Sequence, residues 1–148
     1  MITKPFVGVL FVGCAFAAPV AAAASDCVQV KDGWARLPPV ATMPMTAGYA
    51  TVHNGCDQPV TVIGARSSGF GDVSLHETTV TDGVSRMQHV HHLPIAVGAN
   101  VELKPGGLHL MLMQGKDTLT EGQALPLVLE LAGGDEVQGT LQVRKAAP

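Results

Sequence analysis

The chain has 148 residues, a formal net charge of −3 at pH 7 and 47% hydrophobic residues. This length fits one domain of ordinary size, with a single core, once a leader is removed. The mildly acidic balance argues against nucleic acid as a partner, because proteins that bind it are usually basic.

The first 24 residues are typical of a signal peptide. Lys4 supplies the positive start, residues 5–18 form the apolar segment, and residues 21–24 are small residues suited to cleavage near Ala24. The apolar segment is short and is followed by Pro19, so we expect no stable membrane insertion.

A lipid-anchored form is the alternative for this leader. Cys14 follows Val12 and Gly13, which loosely matches a lipidation site, although Phe11 fits that pattern poorly. Cys14 is otherwise an ordinary small apolar residue of the leader.

Two cysteines, Cys27 and Cys56, remain after the leader. An even number in an exported chain predicts one disulfide, which would close a loop of about 30 residues. Two free buried thiols and a thiolate metal site are the alternatives. Since the chain has no Cys-x-x-Cys, a dithiol redox enzyme is not indicated.

From Cys27 onward the pattern is all-β, with short alternating segments separated by Pro, Gly, Asn and Asp. This spacing predicts a β-sandwich in one domain over residues 25–148. The predicted strands cover residues 28–36, 47–53, 59–67, 73–80, 85–90, 100–104, 108–113, 125–131 and 137–143.

The candidate functional residues are two histidines and two methionines, His76, Met87, His109 and Met111. His76 and Met87 lie on the two arms of a predicted hairpin. An even-numbered loop there puts both on one face, as diagonal neighbours if the loop has two residues. His109 and Met111 share one face of the alternating strand 108–113.

Two imidazoles and two thioethers suit a soft monovalent metal such as Cu(I), whereas thioethers are poor ligands for zinc, magnesium or calcium. The competing interpretation is that the methionines fill the core and the histidines are ordinary polar groups. The sequence alone does not show that the hairpin and the strand 108–113 meet.

The spacing of these residues resembles a known family. Ten residues separate His76 from Met87, twenty-one separate Met87 from His109, and one separates His109 from Met111. This matches the metal-binding signature of the PCu(A)C periplasmic copper chaperones. The surrounding sequence is also similar over roughly residues 28–143, notably at residues 34–36, 47–49, 75–77, 82–84, 103–107 and 109–113.

The chain departs from some members of that family in two places. Glu77 stands where some carry an additional Met, and residues 144–148 contain none of the His and Met found in some C-terminal tails. The first position is optional in the family, so neither difference removes a ligand of the signature.

This resemblance implies a cupredoxin-like Greek-key sandwich that carries Cu(I) in the periplasm. It also implies an acceptor, the dinuclear copper centre of cytochrome c oxidase, often alongside a Sco-type copper protein. Storage or tolerance of copper, and a metal-free interaction module, remain alternatives. Blue-copper electron transfer is disfavoured because no cysteine lies near His109 or Met111, and no catalytic set indicates an enzyme.

Two further groups of residues could bind metal. Met43 and Met45 could form an auxiliary soft site or pack against the domain. His89, His91 and His92 could bind Cu(II) or zinc or lie in a solvated loop, and His89 could support the site from beside Met87. His53 is expected to be structural.

Overall fold

The computed structural model describes residues 25–145, which form ten β-strands and no helix. No helix able to cross a membrane occurs in this part of the chain. The predicted leader and Cys14 lie outside the described residues. The strands are β1 Val28–Arg36, β2 Thr46–Asn54, β3 Val60–Arg66, β4 Phe70–Thr81, β5 Val84–His89, β6 Leu93–Ile95, β7 Asn100–Leu103, β8 Leu108–Gly115, β9 Ala124–Leu131 and β10 Glu136–Arg144.

The strands form one continuous sheet in the order β5-β4-β8-β2-β1-β10-β9-β3-β6. A further pairing of β3 with β4 joins seven of these strands into a closed ring, and β7 pairs with β2. The predicted all-β fold is therefore confirmed, with its two layers connected through a barrel-like closure. β1 and β10 pair in parallel, while the other pairs are antiparallel.

Aliphatic residues that face inward from β8, β9 and β10 form the centre of the core. Leu110, Leu112, Leu127 and Leu141 have no exposed surface. On β8 these leucines alternate with residues that face the other way, as the period-two pattern predicts. The core therefore fixes which side of β8 carries His109.

The sequence-based strand assignment missed one element. β6 has only three residues and contains Pro94, which cannot donate to a ladder, so it carries little pattern. It lies at the edge of the sheet, paired with β3 alone. β1 has its predicted bounds, and the other eight predicted strands differ from theirs by one to three residues at an end.

The predicted disulfide is present at one corner of the fold. Cys27 and Cys56 are bonded, with their Cα atoms 4.9 Å apart. The Gly55 amide also donates to the Cys27 carbonyl at 2.8 Å. The bridge therefore ties the segment before β1 to the loop after β2.

Asn54, at the end of β2, organises the same corner. Its side chain is fully buried and donates from Nδ2 to the carbonyls of Gln58, Ile95 and Ala96, while Oδ1 accepts from the Cys56 amide. One side chain thus joins the loop after β2 to the end of β6 and the residue that follows it.

We expect Asn54→Ala to lower the free energy of unfolding by about 2–3 kcal/mol, because it leaves buried carbonyls without donors. Urea unfolding monitored by circular dichroism measures this change. Asn100→Ala is the matched control, since Asn100 is exposed and its side chain makes one hydrogen bond among the described residues, to His53. Equal losses in the two variants would contradict this role for Asn54.

Candidate metal centre

The centre of the candidate site is a row of three histidines across neighbouring strands. His76 on β4 lies directly opposite His89 on β5 and directly opposite His109 on β8. Opposed residues on antiparallel strands point to the same side, so the three imidazoles share a face. The ring centres lie 5.1 Å apart for His76 and His89, and 6.0 Å apart for His76 and His109.

The two methionines occupy the diagonal positions around His76. Met87 on β5 is opposite Thr78, and Met111 on β8 is opposite Ser74. Each is displaced from His76 by two residues along β4, in opposite directions, which is within reach of a long side chain. Met111 is half-buried, and Met87 is 53% exposed.

The register of the hairpin follows from its turn. Thr81 pairs with Val84, so the loop contains only Asp82 and Gly83. Both have positive φ angles, 53° and 76°, as a type I′ turn requires. This is the two-residue loop for which the sequence predicts that His76 and Met87 are diagonal neighbours.

His109 is held in an orientation that suits ligation. It is a buried polar side chain, and its Nδ1 lies 2.9 Å from the Gly107 carbonyl oxygen. A carbonyl only accepts, so Nδ1–H is the donor and the neutral ring keeps its proton there. The Nε2 lone pair is then free for a metal, with the tautomer fixed by the hydrogen bond.

The surroundings of His76 favour its neutral form. Burial lowers the pKa of His76 below the ordinary histidine value, and the nearby positive charges of His89 and His109 lower it further, against a smaller opposing effect of Asp72. Its Nε2 also lies 3.1 Å from the Ser74 hydroxyl. A neutral imidazole is the metal-binding form, so these surroundings favour ligation.

Met43 and Met45 lie beside this site. Together with Met111 they line a largely apolar cavity of about 270 Å³. Both are exposed, and the Pro44 carbonyl between them accepts from the Gly115 amide at 2.8 Å. The structure therefore brings these thioethers near Met111 but does not place them around His76.

The structure separates the histidines that follow Met87. His89 ends β5, within the predicted strand 85–90, because the hairpin register pairs it with His76. The alternative of a solvated loop over residues 89–92 is therefore wrong for His89. His91 contacts His89, and His92 is exposed. His53 makes a 2.8 Å hydrogen bond to Asn100 far along the sheet, as expected of a structural residue.

Histidine, cysteine and carboxylate side chains do not by themselves build a metal site here. In the side-chain arrangement of residues 25–145, no three of them converge on one point where an ion could bind. A site centred on His76 and His109 therefore needs the thioethers of Met87 and Met111 as additional ligands.

The family described as "Putative lipoprotein LpqE-like" matches residues 28–143. The chain belongs to the LpqE-like family. The matched segment covers all ten strands except the final residue of β10, so the family assignment applies to the whole described fold.

Two relatives of this LpqE-like chain illustrate its sequence similarity. It is 35% identical over 127 residues to "Putative lipoprotein Lxx21020" of Leifsonia xyli, covering 82% of the chain and 75% of the relative. It is 31% identical over 78 residues to "Uncharacterized protein RP573" of Rickettsia prowazekii, covering 52% of the chain and 43% of that protein.

Solved structures share its fold. The solution structure of CuI-DR1885 from Deinococcus radiodurans has a TM-score of 0.61 at 28% identity, covering 82% of both chains. The copper-bound PCuAC domain from PmoF2 has a TM-score of 0.66 at 22% identity, covering 81% of this chain and 94% of that domain. The resemblance to the PCu(A)C family is thereby confirmed, and none of these proteins bears the name of an enzyme.

Proposed function

We propose that this LpqE-like protein is an exported carrier of Cu(I), with His76, Met87, His109 and Met111 as ligands. The observation that carries the proposal is the direct opposition of His76 and His109, with a methionine on each diagonal of His76. Two imidazoles and two neutral thioethers bind Cu(I) without adding negative charge. Copper is then the cargo of residues 25–148 and not a resident cofactor.

The names of the relatives support this proposal. DR1885 is described with CuI and the PmoF2 domain as copper-bound, and both have the fold of this chain. The family description as a lipoprotein supports export, through a signal peptide in residues 1–24 and towards the periplasm. It also gives weight to Cys14 as a lipid attachment site.

We propose the dinuclear copper centre of cytochrome c oxidase as the acceptor, with a Sco-type copper protein as a second partner. This step rests on the PCu(A)C resemblance alone. Copper storage or tolerance is the alternative use of the same ligands, and a metal-free interaction module is the alternative that needs none of them.

Titration with Cu(I) against a competing chelator, under reducing conditions, tests the carrier directly. We expect one tightly bound ion per chain, and weaker binding after single alanine substitutions of the four ligands. Failure of the unmodified protein to compete with the chelator would leave the interaction module as the function. Transfer to a copper-free oxidase copper domain then separates delivery from storage.

Acidification should weaken Cu(I) binding between about pH 7 and pH 5, since protons compete for imidazoles that ordinarily titrate near 6.5. The thioethers have no proton to exchange. Because the pKa of His76 is lowered, protonation of its ring should contribute at the acid end of this range. The fall should approach two protons per ion if both histidines are ligands.

Chelator competition at several pH values measures this slope. His76→Gln should retain at most a one-proton dependence, while His92→Ala, which changes an exposed ring outside the ligand set, should keep the full profile. A flat profile in the unmodified protein would mean that neither His76 nor His109 is a ligand.

A further inference from the structure

Two imidazoles beside the proposed Cu(I) site are not among its four ligands. His89 faces His76 with ring centres 5.1 Å apart, and the ring of His91 lies 4.1 Å from that of His89, edge to face in both cases. With metal–nitrogen bonds of about 2.0–2.1 Å, two imidazoles on one ion have ring centres about 4.5–6.5 Å apart. The spacing of His76 and His89 falls in that range, and that of His89 and His91 is slightly shorter.

The nitrogen atoms of this pair are close together. His89 Nδ1 lies 3.0 Å from Nδ1 and 3.1 Å from Nε2 of His91. In this arrangement the rings hydrogen-bond to each other and do not aim at a common point, in agreement with the lack of three converging ligands among residues 25–145. Both residues are exposed, so their rings can turn to other rotamers without disturbing the core.

We propose that His76, His89 and His91 form a second, overlapping site for a divalent borderline cation, with Cu(II) as the preferred ion. Imidazole suits Cu(II), and Cu(II) binds nitrogen sites more tightly than the other divalent ions of its series. A set of three imidazoles without thioethers therefore favours Cu(II), whereas the set that contains two thioethers favours Cu(I). The choice of copper rests on the proposed function.

Sharing His76 has a direct consequence. A metal held by His89 and His91 takes both of these ligands from the β5 side of His76, whereas the Cu(I) set also needs His109 and Met111 on β8. In this proposal both ions bind the same nitrogen of His76, so the two occupancies exclude each other. The chain would then hold copper in either oxidation state, with a different ligand set for each.

The test is Cu(II) binding by the intact exported protein without reductant, measured by chelator competition and by electron paramagnetic resonance. The double variant His89→Ala with His91→Ala removes only exposed side chains. His92→Ala is the matched control for nonspecific binding to surface histidines, and Met87→Ala with Met111→Ala is the control for the thioether site. Circular dichroism checks that each variant is folded.

Loss of groups that merely orient a ligand costs about 10- to 100-fold in metal affinity, so the double histidine variant should lose at least tenfold in Cu(II) affinity. Its Cu(I) affinity should change by less than about threefold, and the thioether variant should show the reverse. The His92 variant should bind Cu(II) like the unmodified protein.

Three results would overturn the proposal: no Cu(II) binding by the unmodified protein, unchanged Cu(II) binding in the double histidine variant, or an equal loss in the thioether variant. Cu(I) titration of the same samples keeps the two proposals apart. Failure to bind Cu(I) refutes the carrier function, whatever the Cu(II) result, and normal Cu(I) binding with any of the three results refutes only the second site.

Discussion

Met111→Ala and His109→Ala should each reduce Cu(I) affinity by about 100-fold or more, since loss of a ligand should exceed the 10- to 100-fold cost of disturbing a group that only supports one. Chelator competition under reducing conditions measures the loss. Met111 is the safer substitution because it is half-buried, whereas His109 is buried and its replacement requires a check of thermal unfolding.

Met113→Ala is the control for this prediction. Met113 lies on the same face of β8 as Met111 and has the same side chain, but it is opposite Asp72, four residues from His76 along β4. We expect its loss to change Cu(I) affinity by less than about threefold, a surface-scale effect. Equal losses at Met111 and Met113 would mean that the ligand set is wrongly assigned.

Replacing both Cys27 and Cys56 by alanine should lower the free energy of unfolding by roughly 3–4 kcal/mol. The bridge closes a loop between residues 29 positions apart, and its removal returns that chain entropy to the unfolded state. Urea unfolding of the oxidised protein, the reduced protein and the double variant measures the effect. Reductant should lower the midpoint of the unmodified protein and leave the variant unchanged.

Copper binding should respond differently to the same change. The bridge adjoins Asn54, and Ala47, seven residues earlier on β2, pairs with Met111, so about 23 Å of strand separates the two regions. The folded double cysteine variant should therefore bind Cu(I) with an affinity within about threefold of that of the unmodified protein. Parallel loss of stability and copper affinity would contradict this separation.

Local patterns predicted most of the fold because alternation fixes which residues face inward. Leu110 and Leu112 had to be buried, so His109 and Met111 had to face the other way. The closure of the sheet through β3 and β4 could not be predicted, since alternation carries no information about which distant strands pair. The short β6, with its central proline, gave no pattern to detect.

The sequence predicted each pair of ligands in the candidate site, His76 with Met87 and His109 with Met111. It did not predict that the two pairs lie side by side. The pairing of β4 with β8 is a long-range contact, and only the structure places His76 opposite His109. The position of His89 was available from the sequence, however. Counting outward from a two-residue turn at Asp82 and Gly83 puts His89, within the predicted strand 85–90, opposite His76.

The edge position of β5 gives the proposed site two unequal sides. Every residue of β5 is exposed and the strand pairs only with β4, whereas His109 is buried on β8 between two strands. Edge elements with few buried contacts open locally at low free energy, while core strands open only with the whole fold. If the proposed ligands hold copper, we expect His109 and Met111 on β8 to contribute most to the equilibrium affinity, and the hairpin that carries Met87 to set the rate of metal exchange. Copper release could then be fast although the affinity is high, because Met87, the ligand expected to dissociate first, lies on the strand with the lowest free energy of local opening.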